Sequence, residues 1–230
     1  MKHVFLSLFC LISLSAMATD FPVPFPLATG TVWVYTADVK SESDGKELNE
    51  TLSWTTEITS VVERENIVIA RGSGLPTDLC FYEKDVKPAP FLIVMVGLWK
   101  LYVIQNEERV KEIWEKAISD ESLREFVTEA DLLLDFPLVV GKSFGETSQI
   151  LSGNSMFVYT VEGKTPFVAS SVIGLNATEA SDEFSITLPT NSDMTTWKFT
   201  QGIGFTGFAY SHHGSTSEVN CNLIELRRGK

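Results

Sequence analysis

Positive charge is in short supply: 18 lysines and arginines stand against 30 aspartates and glutamates in 230 residues, a formal net charge of −12. Such a field repels polyanions, so DNA and RNA are excluded as partners. Cysteine and histidine are scarce too, with three of each. The chain has no G-x-S-x-G nucleophile elbow, no H-E-x-x-H helix, no Walker loop and no D-x-D-x-D-G calcium loop. Their absence removes the motif-borne routes to serine hydrolysis, zinc peptidase chemistry, nucleotide hydrolysis and EF-hand binding. What remains is an ordinary globular composition, 44% hydrophobic and 21% charged, with no catalytic set, metal or cofactor assigned.

The beginning of the chain is more specific. Lys2 and His3 precede an apolar stretch from Val4 to Leu14, and Ala16-Met17-Ala18 follows. Charge, apolar segment and small residues in that order predict a signal peptide, residues 1–18, cleaved after Ala18. The competing reading, a retained membrane anchor, meets an apolar stretch shorter than the roughly 20 residues a bilayer needs. Lipidation at Cys10 is not expected, because Phe9 precedes it where that signal wants a small residue. An exported protein, periplasmic or extracellular, follows from this reading. Only Cys80 and Cys221 remain after cleavage, and an even pair in an oxidising compartment predicts a disulfide. The alternative is two buried thiols; a shared zinc site would need two further ligands.

Residues 19–230 read as one β-rich domain. After the proline-rich Phe21 to Pro26, Thr31 to Thr36 is rich in β-branched and aromatic residues. Further strands are expected at Leu52 to Val62, Asn66 to Arg71 and Leu79 to Tyr82. Phe91 to Trp99 carries no charge, and the apolar character resumes from Leu101 to Ile104. This is a strand buried on both faces or a strand pair bent at Gly97, or else a membrane-contact edge or one wall of an apolar ligand pocket. On the last reading Phe91, Leu92, Val94, Leu98, Trp99 and Leu101 are the candidate ligand-binding residues.

The period then changes. Val110, Ile113, Trp114, Ala117 and Ile118 recur at helical spacing, and Leu123, Phe126, Val127, Ala130, Leu133 and Leu134 repeat the pattern after Asp120, a credible N-cap. One or two amphipathic helices over 106–134 would therefore join two β halves, about 19–105 and 136–230. In the second half strands are expected at Phe144 to Leu151, Met156 to Val161, Val168 to Ile173, Glu183 to Leu188, Thr195 to Thr200, Gly207 to Ser211 and Val219 to Leu226. The fold class is mainly β (α+β), an antiparallel sandwich or partly closed barrel.

Few residues suggest chemistry. Gly202 to Gly207 is a literal G-x-G-x-x-G, but Phe208 to His213 alternates like a strand, so these glycines fit a bulge or sharp bend better than a dinucleotide site. His212 and His213 are neighbours and cannot readily share one metal from a strand; a surface turn is expected. Asp131, Asp135, Glu183, Glu218 and Glu225 are the candidates for a hydrolytic carboxylate pair, whose spacing is spatial and not written in sequence. Asn49-Glu50-Thr51 and Asn176-Ala177-Thr178 match the glycosylation sequon, which matters only in a eukaryotic source.

Three motifs remain: F-P-L-x-x-G-x-x-W-x-Y (Phe25 to Tyr35), a second F-P-L-x-x-G (Phe136 to Gly141), and G-x-G-F-x-x-F-x-Y-x-H-x-G (Gly202 to Gly214) followed by Leu223-Ile224-Glu225-Leu226. Through them the chain resembles a broad group of exported, largely uncharacterised bacterial β-rich proteins. The resemblance implies an antiparallel β fold in the cell envelope and transfers no catalytic residue. Three functions stay open: a non-enzymatic binding protein for an apolar or amphipathic small molecule or lipid, a structural or protein-interaction module with an envelope protein as partner, and a carboxylate-dependent hydrolase.

Overall fold

The structure is a computed structural model that describes residues 24–43, 45–64, 66–118, 131–153, 155–176 and 181–230. The expected signal peptide and Leu123 to Ala130 of the second expected helix lie outside the described residues. Alternation of apolar and polar side chains organises the first half into β1 (Val32–Ser43), β2 (Lys46–Arg64), β3 (Ile67–Ser73), β4 (Pro90–Val96), β5 (Lys100–Ile104) and β6 (Asp131–Asp135). The second half supplies β7 (Ser143–Gly145), β8 (Val158–Pro166), β9 (Asp182–Pro189), β10 (Asp193–Thr200), β11 (Gly204–His212) and β12 (Ser217–Arg227). Two short helices, α1 (Glu107–Ile118) and α2 (Thr147–Ser152), accompany them among the described residues.

All of these strands join one antiparallel sheet ordered β6-β5-β4-β3-β2-β1-β12-β11-β10-β9-β8-β7, curled into a nearly closed barrel. The first and last strands pair at its centre, with Trp33 opposite Leu226 and Ser41 opposite Ser217. The seam therefore falls between β6 and β7, the middle of the sequence. Each F-P-L-x-x-G segment sits just before the first strand of one half and makes the same turn. Thr31 N donates to Ala28 O at 3.0 Å and Lys142 N to Val139 O at 2.9 Å, with Gly30 and Gly141 at φ of 83° and 87°. Both glycine N–H groups then bond a strand of their own half, at Ile58 O and Val161 O, each at 2.8 Å.

The inward face is a dense aromatic core. Trp33, Tyr35, Phe91, Phe199 and Phe208 are all fully buried within it. Outside, Val110, Ile113 and Ala117 of α1 pack on Ile69, Leu92 and Val94, so β4 is buried on both faces. That double burial explains the uncharged run, and Gly97, at φ 59°, turns the chain from β4 into β5. One barrel mouth is crossed by residues 24–28, whose Phe25 is wedged against Trp33 and Phe205 at centroid distances of 5.5 and 5.1 Å. The other is closed by residues 74–89. Trp54 Nε1 donates to Gly74 O at 2.9 Å, Ser41 Oγ to Tyr82 O at 2.6 Å, and Phe81 N to Ser217 Oγ at 2.9 Å.

Several local expectations need correction. Leu79 to Tyr82 is not a strand: Pro76–Leu79 is a 3-10 turn opened by proline, and Phe81 takes φ 54°, outside the extended region. Phe144 to Leu151 divides into β7 and α2, because Gly145 at φ 125° breaks the extended run and Gly153 at φ 71° caps the helix. Val168 to Ile173 holds the 3-10 turn Ala169–Ser171, in which Ser171 Oγ donates to Val168 O at 2.7 Å, a local bond that competes with strand pairing. Leu133 and Leu134 belong to β6 and not to a helix; adding a strand beside Leu101 and Tyr102 buries them.

The disulfide is also corrected. Cys80 and Cys221 are free thiols, one following the 3-10 turn and the other inside the core on β12. Burial pushes each up to about 12, so both stay protonated and unreactive near neutral pH.

Asp78, in the closing segment, sets a pH dependence. Its Oδ2 accepts Ala89 N at 2.8 Å, yet burial outweighs that bond and raises its carboxyl to about 6. The folded state thus binds this proton more tightly than the unfolded chain. Its contribution to stability is full below the ordinary carboxylate range and is lost as pH rises through about 6. Asp78→Asn, which keeps an acceptor for Ala89, is expected to raise the urea midpoint at pH 7.5 and to flatten its slope between pH 4 and 6. An unchanged slope would contradict the assignment.

Candidate apolar site

Six residues were candidates for an apolar site, and the structure separates them. Phe91 and Leu101 are packed inside the barrel, and Leu92 and Val94 are sealed beneath α1, each 2% exposed or less. Leu98 and Trp99, in the β4–β5 turn, stay 39% and 58% exposed. The turn forces this, since no strand alternation is left to direct them inward. Both line a hollow of about 290 Å³ at the seam, walled by Phe136, Leu138, Phe184 and Phe199. Such a volume is at the small end for a small-molecule site, and the lining is almost wholly apolar. Pro24 and Gln201 complete the rim.

The hollow follows from the topology. The Asp135-to-Ser143 connection must bridge the two edge strands, and it brings Phe136, Pro137 and Leu138 beneath the β4–β5 turn. Phe136 N donates to Trp99 O at 2.7 Å, and Lys142 Nζ fixes the far side by bonding Pro137 O at 3.1 Å beside Asp135 at 3.4 Å. Phe136 packs at a tilt against Phe199, with ring centroids 5.4 Å apart, forming the floor. Leu98 also lines a second hollow of about 490 Å³, together with Pro26, Leu27, Val68 and Met95. Residues 24–28 run between the two.

At the opposite mouth is a polar constellation that sequence reasoning missed. Asp193 Oδ1 accepts Tyr210 Oη at 2.6 Å and lies 2.7 Å from His212 Nδ1, while Oδ2 accepts Thr190 Oγ1 and Ser192 Oγ, each at 3.1 Å. Tyr210 first, then His212, holds the Asp193 carboxyl down at about 2. His212 is thus the last residue of β11, not a turn residue, and the ring of Phe81 covers it at 5.0 Å. The only available signal was the β11 alternation that puts Tyr210 and His212 on one face. A carboxylate can hold an imidazole in place as a general base, but among the described residues no serine or cysteine is seen to bond the other nitrogen of His212.

The five carboxylate candidates are not brought together. Asp135 pairs with Lys142 at 3.4 Å, Glu183 with Lys198 at 3.9 Å, Glu218 with Lys40 at 4.0 Å and Glu225 with Arg227 at 3.2 Å. Asp131 opens β6 on an exposed edge. Among the described residues no group of three or more His, Cys, Asp or Glu could hold a metal ion. The glycines of Gly202 to Gly207 make a bend into β11 and a bulge beside Phe199, with Gly202 and Gly204 at φ of 77° and 97°.

No family model matches the chain, and no curated protein matches it. Two solved structures are similar in outline. One, from Bacteroides fragilis, is designated as exported with a YmcC-like fold; it shares 9% identity at a TM-score of 0.44, over 90% of this chain and 99% of its own. The other, from Parabacteroides distasonis, is designated a lipoprotein and shares 10% identity at a TM-score of 0.42, over 90% of this chain and all of its own.

Proposed function

We propose that this chain is an exported, non-enzymatic binding protein that takes an apolar or amphipathic small molecule in the seam hollow. Export rests on the Lys2-to-Ala18 signal pattern. The binding reading is carried by one observation: Trp99, an aromatic side chain left 58% exposed, stands at the rim of a hollow whose other lining residues, Gln201 apart, are Leu, Phe and Pro. Water in such a hollow finds almost no polar partner, so an apolar guest replaces it favourably, at about 25 cal/mol per Å² of apolar surface covered.

The test is titration with N-phenyl-1-naphthylamine, a neutral fluorophore unaffected by the protein's net charge. We expect saturable uptake at the seam. Leu98→Asp/Trp99→Asp, at positions the fold leaves exposed, should weaken it by roughly tenfold or more at an unchanged unfolding midpoint. No saturable uptake, or equal uptake by the double variant, would overturn the proposal.

A further inference from the structure

The two hollows beside Leu98 differ in their polar rims, and that difference bears on what the site takes. The smaller is bounded by Phe184, Phe199 and Leu138, with the neutral Gln201 as its one polar lining side chain. The larger ends at Glu63, near the end of β2, and at Asn66 in the turn that follows. Leu98 belongs to both, so the two hollows adjoin at that side chain, and the larger has a carboxylate in its lining. Glu63 is exposed, with no cation paired to it among the described residues.

No lysine or arginine lines either hollow, and three described cations of the neighbouring strands and seam are turned away or engaged. Arg64, the next residue, directs Nη2 to Ala117 O at 3.0 Å, under α1. Lys100 precedes the inward-facing Leu101 and so alternates to the outer face. Lys142 is held by Asp135 and Pro137 O on the far side of the seam. The path thus has two apolar stretches, one acidic end and no basic group among its lining residues.

Resting on the reading of the seam hollow as a binding site, we infer that its ligand is a single-chain amphiphile with a cationic head. The chain lies across Leu98, between Phe184 and Met95, and the head group, an ammonium, faces Glu63. A fatty-acid carboxylate of the same length would meet the same apolar walls but would be repelled by Glu63 and by the protein's overall negative charge. Discrimination is then electrostatic, exposed to solvent and modest, and salt screens it.

The experiment is displacement of bound N-phenyl-1-naphthylamine by decyltrimethylammonium and by decanoate, both below their micellar concentrations, at low ionic strength. Decyltrimethylammonium is expected to displace the probe at about tenfold lower concentration than decanoate. Glu63→Gln should bring the two within about twofold, whereas Glu107→Gln, the same charge change on α1, should leave the ratio in place. Decanoate competing equally well with the unaltered protein, or a ratio that survives Glu63→Gln, would overturn the inference while the bound probe upheld the site. Failure of the probe to bind at all would instead remove the site on which the inference stands.

Discussion

Replacing Trp33 by alanine is expected to cost the barrel about 4 kcal/mol, the scale for emptying a buried tryptophan site. Trp33 is 1% exposed on β1, where the two ends of the chain pair. Its Nε1 donates to Ile203 O at 2.7 Å, so truncation leaves both a cavity and an unpaired buried carbonyl. It also removes the wall against which Phe25 is wedged, freeing the segment that separates the two hollows. Because domains are stable by only about 5–15 kcal/mol, such a loss is roughly a quarter to four-fifths of the whole margin. Urea unfolding followed by tryptophan emission measures the effect. Trp33→Phe, which keeps most of the volume, should lose less; equal losses would place the weight on the hydrogen bond.

The second large effect is expected at Gly74, where the closing segment leaves β3. Its φ is 80°, and a Cβ there would stand 2.2 Å from Thr55 O. The same residue's carbonyl accepts Trp54 Nε1 and Thr56 Oγ1, so the backbone cannot shift without breaking two buried bonds. Gly74→Ala should therefore cost roughly 3 kcal/mol or more, combining left-handed strain with displaced backbone. Gly45, at φ 71° in the β1–β2 turn, supplies the control because nothing lies within 4 Å of its would-be Cβ. Its alanine variant should show only the conformational part, about 1 kcal/mol. Similar losses at both positions would show that the close approach to Thr55 carries no weight.

The parts of the fold legible in sequence were those fixed by local chemistry. Alternation located most strands within a few residues, and helical spacing picked out Val110, Ile113 and Ala117 as the buried face of α1. The double burial of β4 and the bend at Gly97 were also visible, because an uncharged run needs cover on both sides and glycine permits the turn. Short segments were harder. Leu133-Leu134 and Ile150-Leu151 suit either period, and only the neighbouring β5 edge or the Gly153 cap decides between them.

Long-range pairing was not legible. Nothing local announces that β1 lies beside β12, yet this pairing moves the seam to the middle of the sequence and creates the hollow there. The uncharged run named Leu98 and Trp99 as site residues, but the opposing wall of Phe136, Leu138, Phe184 and Phe199 comes from segments far along the chain. The cysteines mislead for a related reason. Even number and compartment favour a bond, whereas the fold leaves both thiols free, Cys221 buried and Cys80 partly so. Asp193 and His212 meet because β10 pairs with β11 in a register that sets those two residues opposite each other.

The most direct measurement of whether the seam hollow receives a guest is a crystal structure of the protein grown with 1-bromodecane, read by bromine anomalous scattering. A bromine peak is expected between Trp99 and Phe184, absent from crystals of Leu98→Asp/Trp99→Asp. Bromine found elsewhere, or side chains closed over an empty seam at saturating bromodecane, would contradict binding there.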